Sequence, residues 1–342
     1  MGIHCCIKWS WEFLRISINE FRGISALETI KTQNLTKIFK VKSKEIKAIQ
    51  NINLSIQSGE IFVLLGPNGA GKTTFLKTIS TLILPTYGDG WINGYNIKKD
   101  EYKVRRSIGL STGFERSFYY RLNGYQNLEF FGTLYGLKGK YLKERIKYLL
   151  SMFNLEDAKD LKYMKYSTGM KKKLSLARAL LHDPDIYIFD EPTSSIDPIS
   201  ANEIRQIISS LKNKNKSILL STHDMHEAEL LGDRIGILNK GVMLAVDEKE
   251  NLKRLLKKEI IKVKTDKFVS EEMISKDGIK GKINHFRSLK EDEFEIEVEN
   301  SSEVLDPLIE KLKKENRKIL TINVEQPSIE EVFMNFVRND KR

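Results

Sequence analysis

Residues 66–74 read Gly-Pro-Asn-Gly-Ala-Gly-Lys-Thr-Thr. The spacing matches G-x-x-x-x-G-K-[ST], a loop whose backbone can wrap phosphate oxygens. Glycines at these points let N–H groups converge on an anion without a clashing Cβ. Apolar Ile61–Leu65 precedes the loop and reads as a buried strand, and Phe75–Ile79 follows as a helix. Strand, glycine loop, helix is the context such a motif requires. The helix N-terminus adds partial positive charge. In this reading Gly66, Pro67, Asn68, Gly69, Ala70, Gly71 and Thr74 surround the phosphates of a nucleotide. Lys72 reaches the β- and γ-phosphates, and the Thr73 hydroxyl binds Mg²⁺.

Two further segments carry groups that would complete phosphoryl chemistry. Asp190-Glu191 ends the apolar run Ile186–Asp190, 118 residues beyond Lys72. Asp190 can hold Mg²⁺ through water, and Glu191 can polarise the water that attacks the γ-phosphate. Ser221-Thr-His-Asp224 ends the next apolar run. His223 is then at the carboxyl end of a sheet strand, where ligands of α/β folds gather. There it can contact the γ-phosphate and fix the geometry of the water.

Tyr166-Ser-Thr-Gly-Met170 precedes a helical run, Lys171–Leu180. The Ser167 hydroxyl, the Gly169 amide and the helix N-terminus make a second phosphate-binding device. One ATP does not need two such devices from one chain. The economical arrangement is a head-to-tail dimer, each ATP held between one chain's loop and the other's helix end, with a two-fold axis making the sites equivalent.

Apolar strands (61–65, 186–190, 217–221, 234–238) alternating with helical patterns argue for an α/β core with a largely parallel sheet. Ahead of the loop, Thr29–Gln33 and Lys47–Ile56 read as strands, and roughly 113–165 reads as helical. From about 250 the pattern becomes a small α+β appendage. Its strand-like pieces are 259–263, 282–286, 294–298 and 319–324, with a helix at about 302–316. Ser328 with Glu331 gives a capping-box pattern for a last helix. The expected division is an extension over 1–29, an ATPase domain over 30–250 with a helical part at about 113–175, and an accessory domain over 251–342. In 1–29, Trp11, Leu14, Ile18 and Phe21 suit one helix face, and the alternation 7, 9, 11, 13 suits a strand equally. An interfacial membrane helix and a dispensable extension both remain open for it.

Composition narrows the class. No stretch of the 342 residues approaches the ~20 apolar residues that span a bilayer. Cys5 and Cys6 are the only cysteines, which excludes a disulfide framework and suits a reducing cytosol. Net charge is +11, and residues 138–173 supply 11 Lys/Arg against 4 Asp/Glu. That segment reads as amphipathic helices, so solvated faces explain the excess better than a binding patch.

Together these motifs resemble the ATP-binding cassette (ABC) transporter ATPases over about residues 30–245. Gly66–Thr74 matches Walker A, Ile186–Glu191 matches Walker B, and Ser167–Lys171 matches the signature. Ser194–Asp197 matches the D-loop and His223 the switch histidine. The resemblance implies a P-loop NTPase fold, ATP and Mg²⁺ as ligands, and Asp197 at the nucleotide interface. Phe39 falls where the family stacks an aromatic on adenine; otherwise it is a core or edge aromatic. Gly113–Leu122, Asn127–Phe131 and the tail Pro327–Phe333 resemble the drug and antibiotic exporters whose permease is a separate multi-helix protein. That branch implies a second ATPase subunit, a homodimer being expected, and a peripheral position on the cytoplasmic face of the membrane. Phe118, Tyr119 and Tyr120 would serve subunit contacts, with core packing accounting for some of them. No nucleic acid is expected. The competing readings are a soluble cassette acting on ribosomes or nucleic acid, favoured by charge alone, and a regulatory cassette without turnover.

Two positions depart from the family. Thr168 stands where a glycine is usual, and it leaves Ser167 and Gly169 in place. Gly113 stands where the family's Q-loop glutamine is expected, and Glu115 is the candidate substitute. Glu115→Ala should then alter the Mg²⁺ and ATP dependence of hydrolysis; unchanged dependence on both would discard that role.

Overall fold

The computed structural model describes residues 28–42, 44–112, 118–256, 258–274 and 283–339. Nearly all of the 1–29 extension, and Gly113 with Glu115, lie outside the described residues. The chain opens with two long strands, β1 (Glu28–Val41) and β2 (Lys44–Gln57). The fully buried β3 (Ile61–Leu65) leads through the glycine loop into α1 (Lys72–Ile79). Then come β4 (Tyr87–Ile92), β5 (Tyr95–Asn96), α2 (Glu101–Ser107) and β6 (Ile108–Ser111). Three helices follow: α3 (Gly124–Leu134), α4 (Gly139–Met152) and α5 (Thr168–Ala179). After them come β7 (Ile186–Asp190), α6 (Pro198–Lys212), β8 (Ser217–Thr222), α7 (Met225–Leu231), β9 (Arg234–Asn239), β10 (Val242–Glu248) and α8 (Lys249–Arg254).

The central sheet has the order β10-β9-β3-β8-β7-β6. All neighbours are parallel except β10, which runs antiparallel to β9. Its strands are short apolar runs because both faces are covered. Alternate residues serve opposite faces. Ile61, Val63 and Leu65 of β3 join one core with Tyr187 and Phe189. Phe62 and Leu64 join another with Ile186, Ile188, Phe75 and Leu76. This second core lies under an antiparallel sheet of order β2-β1-β4-β5. Its hairpin is longer than the sequence suggests and carries Phe39 opposite Ile46 near the turn.

Among the described residues of the middle region, 118–123 are non-helical and the first helix begins at Gly124, and 155–165 is irregular apart from one 3₁₀ turn at Tyr163–Lys165. The start of α3 is set by a capping box, with Asn123 and Gln126 each accepting from the other's backbone N–H. Fully buried Asn127 then fixes the preceding loop. Its Oδ1 accepts from Tyr119 N at 2.9 Å, and its Nδ2 donates to Tyr119 O at 3.2 Å and Asn123 O at 3.0 Å. Phe118 turns inward and stacks on Tyr163 with centroids 4.9 Å apart, under the Arg178 guanidinium at 4.9 Å. It is therefore a core aromatic, whereas Tyr119 and Tyr120 stay exposed.

The C-terminal part builds its own sheet, order β12-β13-β11-β14, all antiparallel. Its strands are β11 (Glu259–Thr265), β12 (Ile283–Lys290), β13 (Glu293–Val298) and β14 (Ile319–Glu325). A short α9 (Glu271–Ile274) and α10 (Leu305–Lys314) accompany it, and α10 helps close a third core through Leu308 and Leu312. The last helix, α11 (Ile329–Asn339), behaves differently. Ile329, Val332 and Phe333 insert into the first core, against α7 and α8. Ser328 Oγ caps α11 by accepting from Glu331 N at 3.2 Å. The Glu331 carboxylate faces Lys258 at 3.8 Å instead of completing the box.

Phe333→Ala should cost about 3–5 kcal/mol by opening a cavity in the first core. Met334→Ala, on the exposed side, should stay within about 0.5 kcal/mol. Urea denaturation midpoints check both; equal small effects would mean that α11 is not anchored there.

Candidate nucleotide site

The sheet brings the three chemistry-bearing segments side by side. β3, β8 and β7 are consecutive in the sheet, so the glycine loop, His223 and Asp190-Glu191 leave adjacent carboxyl ends. The loop is pinned at its base by Gly66 N donating to Thr222 O at 3.2 Å. Gly71 has φ 106°, and a Cβ there would lie 2.3 Å from Ala48 O, so glycine is required twice over. No side chain caps α1, so the amides of its first turn remain available to a ligand. They border a cavity of about 450 Å³ lined by residues 68–74, Ala48, Ile46, Glu191 and Lys240.

Lys72 is 4% exposed. Its Nζ donates to Gly66 O at 2.7 Å and Pro67 O at 3.2 Å, and lies 3.3 Å from Glu191 Oε1. The same carboxylate oxygen is 3.2 Å from His223 Nδ1. Burial pushes the Glu191 carboxyl up, but the Lys72 and His223 contacts outweigh it and hold the group below its ordinary value. Glu191 is thus an ionised carboxylate with two cation-capable neighbours. Its backbone has φ 48°, a left-handed conformation uncommon outside glycine. Three bonds hold that conformation: Glu191 N donates to Ser221 O at 3.0 Å and Ser221 Oγ at 3.3 Å, and Lys172 Nζ donates to Glu191 O at 2.8 Å.

Asp190 is buried beside the loop. Thr73 Oγ1 donates to its carboxylate at 2.9 Å, and Ser221 Oγ donates at 2.5 Å. Thr73 and Asp190 therefore share one oxygen-rich corner, the donor type that Mg²⁺ prefers. Among the described residues no group of three His, Cys, Asp or Glu could hold a metal alone.

The segment expected to bind a second phosphate is organised by its own helix caps. Exposed Ser167 caps α5 by accepting from Met170 N at 3.2 Å. Asp197 caps α6 by accepting from Ser200 N at 2.8 Å, and these Ser200 contacts hold its carboxyl below the usual value. Gly169 joins the two caps: a Cβ there would lie 2.8 Å from Ser200 Oγ and 3.5 Å from Asp197 Oδ2. Thr168 keeps a negative φ, so its branched side chain imposes no backbone strain. A trough of about 420 Å³ runs from Thr168 and Lys172 past Ser194 and Ser195 to Thr73, Asp190 and Glu191. Phe39 is 37% exposed, with Lys37 Nζ 5.2 Å from its ring centre. It is an edge aromatic beside Ile46, which lines the loop cavity.

Sequence reading gave no role to Ser221 or Lys172. Ser221 carried a signal, a hydroxyl at the end of the apolar β8. Lys172 carried none, being the middle of three lysines.

Comparison with known proteins fits this geometry. A family model described as ABC transporter matches residues 49–194. A second, described as ATP-binding protein DrrA1-3-like, C-terminal domain, matches 248–337. The ABC transporter ATP-binding protein NatA of Bacillus subtilis (strain 168) is 39% identical over 206 residues, 60% of this chain and 84% of that one. The linearmycin resistance ATP-binding protein LnrL of the same organism is 32% identical over 311 residues, 90% of this chain and 97% of that one. A dimeric ATP-binding cassette solved in a post-hydrolysis state with ADP and Pi superposes with a TM-score of 0.60 at 29% identity. That match covers 64% of this chain and 98% of the other. With a full-length relative above 30% identity, and with the loop, Glu191 and His223 meeting at the carboxyl end of the central sheet, the chain belongs to the ABC transporter family as an ATP-binding, ATP-hydrolysing subunit.

Proposed function

We propose that this chain powers an exporter whose membrane permease is a separate protein, and that two copies close head to tail around ATP. The observation that carries the hydrolytic part is the Glu191 carboxylate between Lys72 at 3.3 Å and His223 at 3.2 Å. The loop amides from Gly66 to Thr74 and the Lys72 ammonium bind the phosphates. Glu191 accepts a proton from the attacking water, and His223 orients the γ-phosphate. Phe39 offers its face to adenine. Thr73 and Asp190 hold Mg²⁺, which when bound offsets charge developing on the phosphate oxygens. Ser167, Gly169 and Asp197 meet the nucleotide of the other copy, since they cluster with each other rather than with Lys72.

Support for the exporter branch comes from two sources. One is the relative named for linearmycin resistance, matched along 90% of this chain. The other is the DrrA1-3-like model over the C-terminal part. Among the described residues no helix is long and apolar enough to cross a membrane. Membrane work therefore falls to a partner, with this chain docked on its cytoplasmic face. Exposed Tyr119, Tyr120 and Phe130 suit that contact.

Tagged Glu191→Gln protein tests both parts. Its ATP turnover should fall by about 10²-fold or more. Purified in detergent with ATP and Mg²⁺, it should retain a stoichiometric multi-helix membrane protein, identifiable by mass spectrometry. Ribosomal proteins or nucleic acid in place of that partner would overturn the exporter reading.

A further inference from the structure

Among the described residues, Glu227 is the one acidic residue whose side chain is sealed from solvent beside the site without touching the loop lysine or the Asp190 corner. It is 0% exposed. It lies on α7, four residues beyond His223, and Asp224 fixes its place in the first turn. Asp224 Oδ1 accepts from His226 N at 2.9 Å and from Glu227 N at 3.2 Å. From there the carboxylate reaches across to the segment that leaves Glu191. Thr193 Oγ1 donates to Glu227 Oε1 at 2.6 Å, a short contact between residues 34 apart. Glu227 Oε2 is buried and has no hydrogen-bond partner, and the same holds for Arg205 Nε on the neighbouring α6.

A carboxyl sealed from solvent with one oxygen unsatisfied lowers stability. Packing alone would be served better by an apolar side chain of similar size. What the carboxyl supplies is a link. Thr193 is two residues past Glu191 and Glu227 is four past His223, so the Thr193–Glu227 bond joins the segments that carry the two groups. Burial raises the Glu227 carboxyl above its ordinary value, with the Thr193 and Thr222 hydroxyls offsetting part of the shift. Asp224 adds to the rise, and the Arg205 charge opposes it.

We propose that Glu227 is a positioning residue for hydrolysis: through Thr193 it locks the segment after Glu191 to the helix after His223, so that the water-activating carboxylate and the phosphate-orienting imidazole keep one relative placement. The link acts on groups held in strained or exposed settings. Glu191 has φ 48°, and His223 is nearly half exposed. A displacement of about 1 Å between reacting groups can cost on the order of 10²-fold in rate. The proposal rests on the roles given above to Glu191 and His223.

The test uses the purified full chain, with turnover measured at saturating Mg-ATP and affinity measured with a fluorescent ATP analogue. Thr193→Val keeps the shape of the side chain and removes only the donor, so it reports even where Glu227→Ala fails to fold. Both variants should lose about tenfold or more in kcat, with nucleotide affinity within about threefold of the parent. Glu227→Gln, which still offers Thr193 an oxygen, should recover most of the rate. The double variant Thr193→Val/Glu227→Ala should be no slower than the slower single one. Unchanged kcat in folded Thr193→Val, a loss confined to affinity, or multiplicative losses in the double variant would overturn the link. Glu191→Gln run in parallel separates the failures. If it too leaves kcat unchanged, the assignment of Glu191 is at fault; if it alone is slow, only the Glu227 link is.

Discussion

A lysine ammonium held almost out of reach of water is the constraint on which this molecule is built. Lys72 has two carbonyl oxygens and one carboxylate around it and almost no exposure. An unpaired cation in such a place would cost several kcal/mol. The partners must therefore be present whenever the loop has its shape. Two of them, Gly66 O and Pro67 O, come from the loop itself, which curls back on its own lysine. The third, Glu191, comes from a strand more than a hundred residues away. The sheet order β3-β8-β7 is what makes that meeting possible, and the two cores on its faces hold the strands in that order.

The carboxyl end of that sheet also holds two left-handed backbone conformations. Gly71 sits at φ 106° against Ala48 O, and Glu191 sits at φ 48°. Backbone strain of this sort persists only when its surroundings over-determine it. Here β8 supplies Ser221 O and Oγ, and α5 supplies Lys172. Helix α5 thus touches the backbone of Glu191 within its own chain. The C-terminal helix closes the first core from outside by packing on α7, the helix that follows His223. A segment expected to be an appendage is in this way part of the packing behind the site.

Much of the candidate site's geometry is legible in the sequence because its residues have few alternative uses. A glycine loop between a buried strand and a helix, and an Asp-Glu pair closing an apolar strand, each demand a particular backbone or charge partner. The central strands 61–65, 186–190 and 217–221, the last extended by Thr222 in the structure, are readable for the same reason, being short and apolar on both faces. β4 was not, since Gly88, Asp89 and Gly90 suppress strand propensity and pairing with β1 overrides it. The four-residue β6 was too short to show a period. Phe118 looked like an interface aromatic because sequence cannot tell which ring of three turns inward; Tyr163 and Arg178 decide that in space. The docking of α11 was hidden because the 329, 332, 333 pattern says that a face is buried but not against which core.

The central claim is that one catalytic site is assembled from two chains. It is tested most directly by mixing two inactive variants of this protein. Lys72→Ala removes the loop cation. Ser167→Asp keeps the α5 cap, since aspartate accepts from the same amide, but sets a negative charge where the partner's phosphate is to bind. Each alone should be inactive. Random mixing should restore hydrolysis up to roughly a quarter of the parent level, because half the dimers then carry one site with both parts intact. Folded, dimer-competent variants that regain no activity on mixing would show that each chain completes its own site, and would contradict the account.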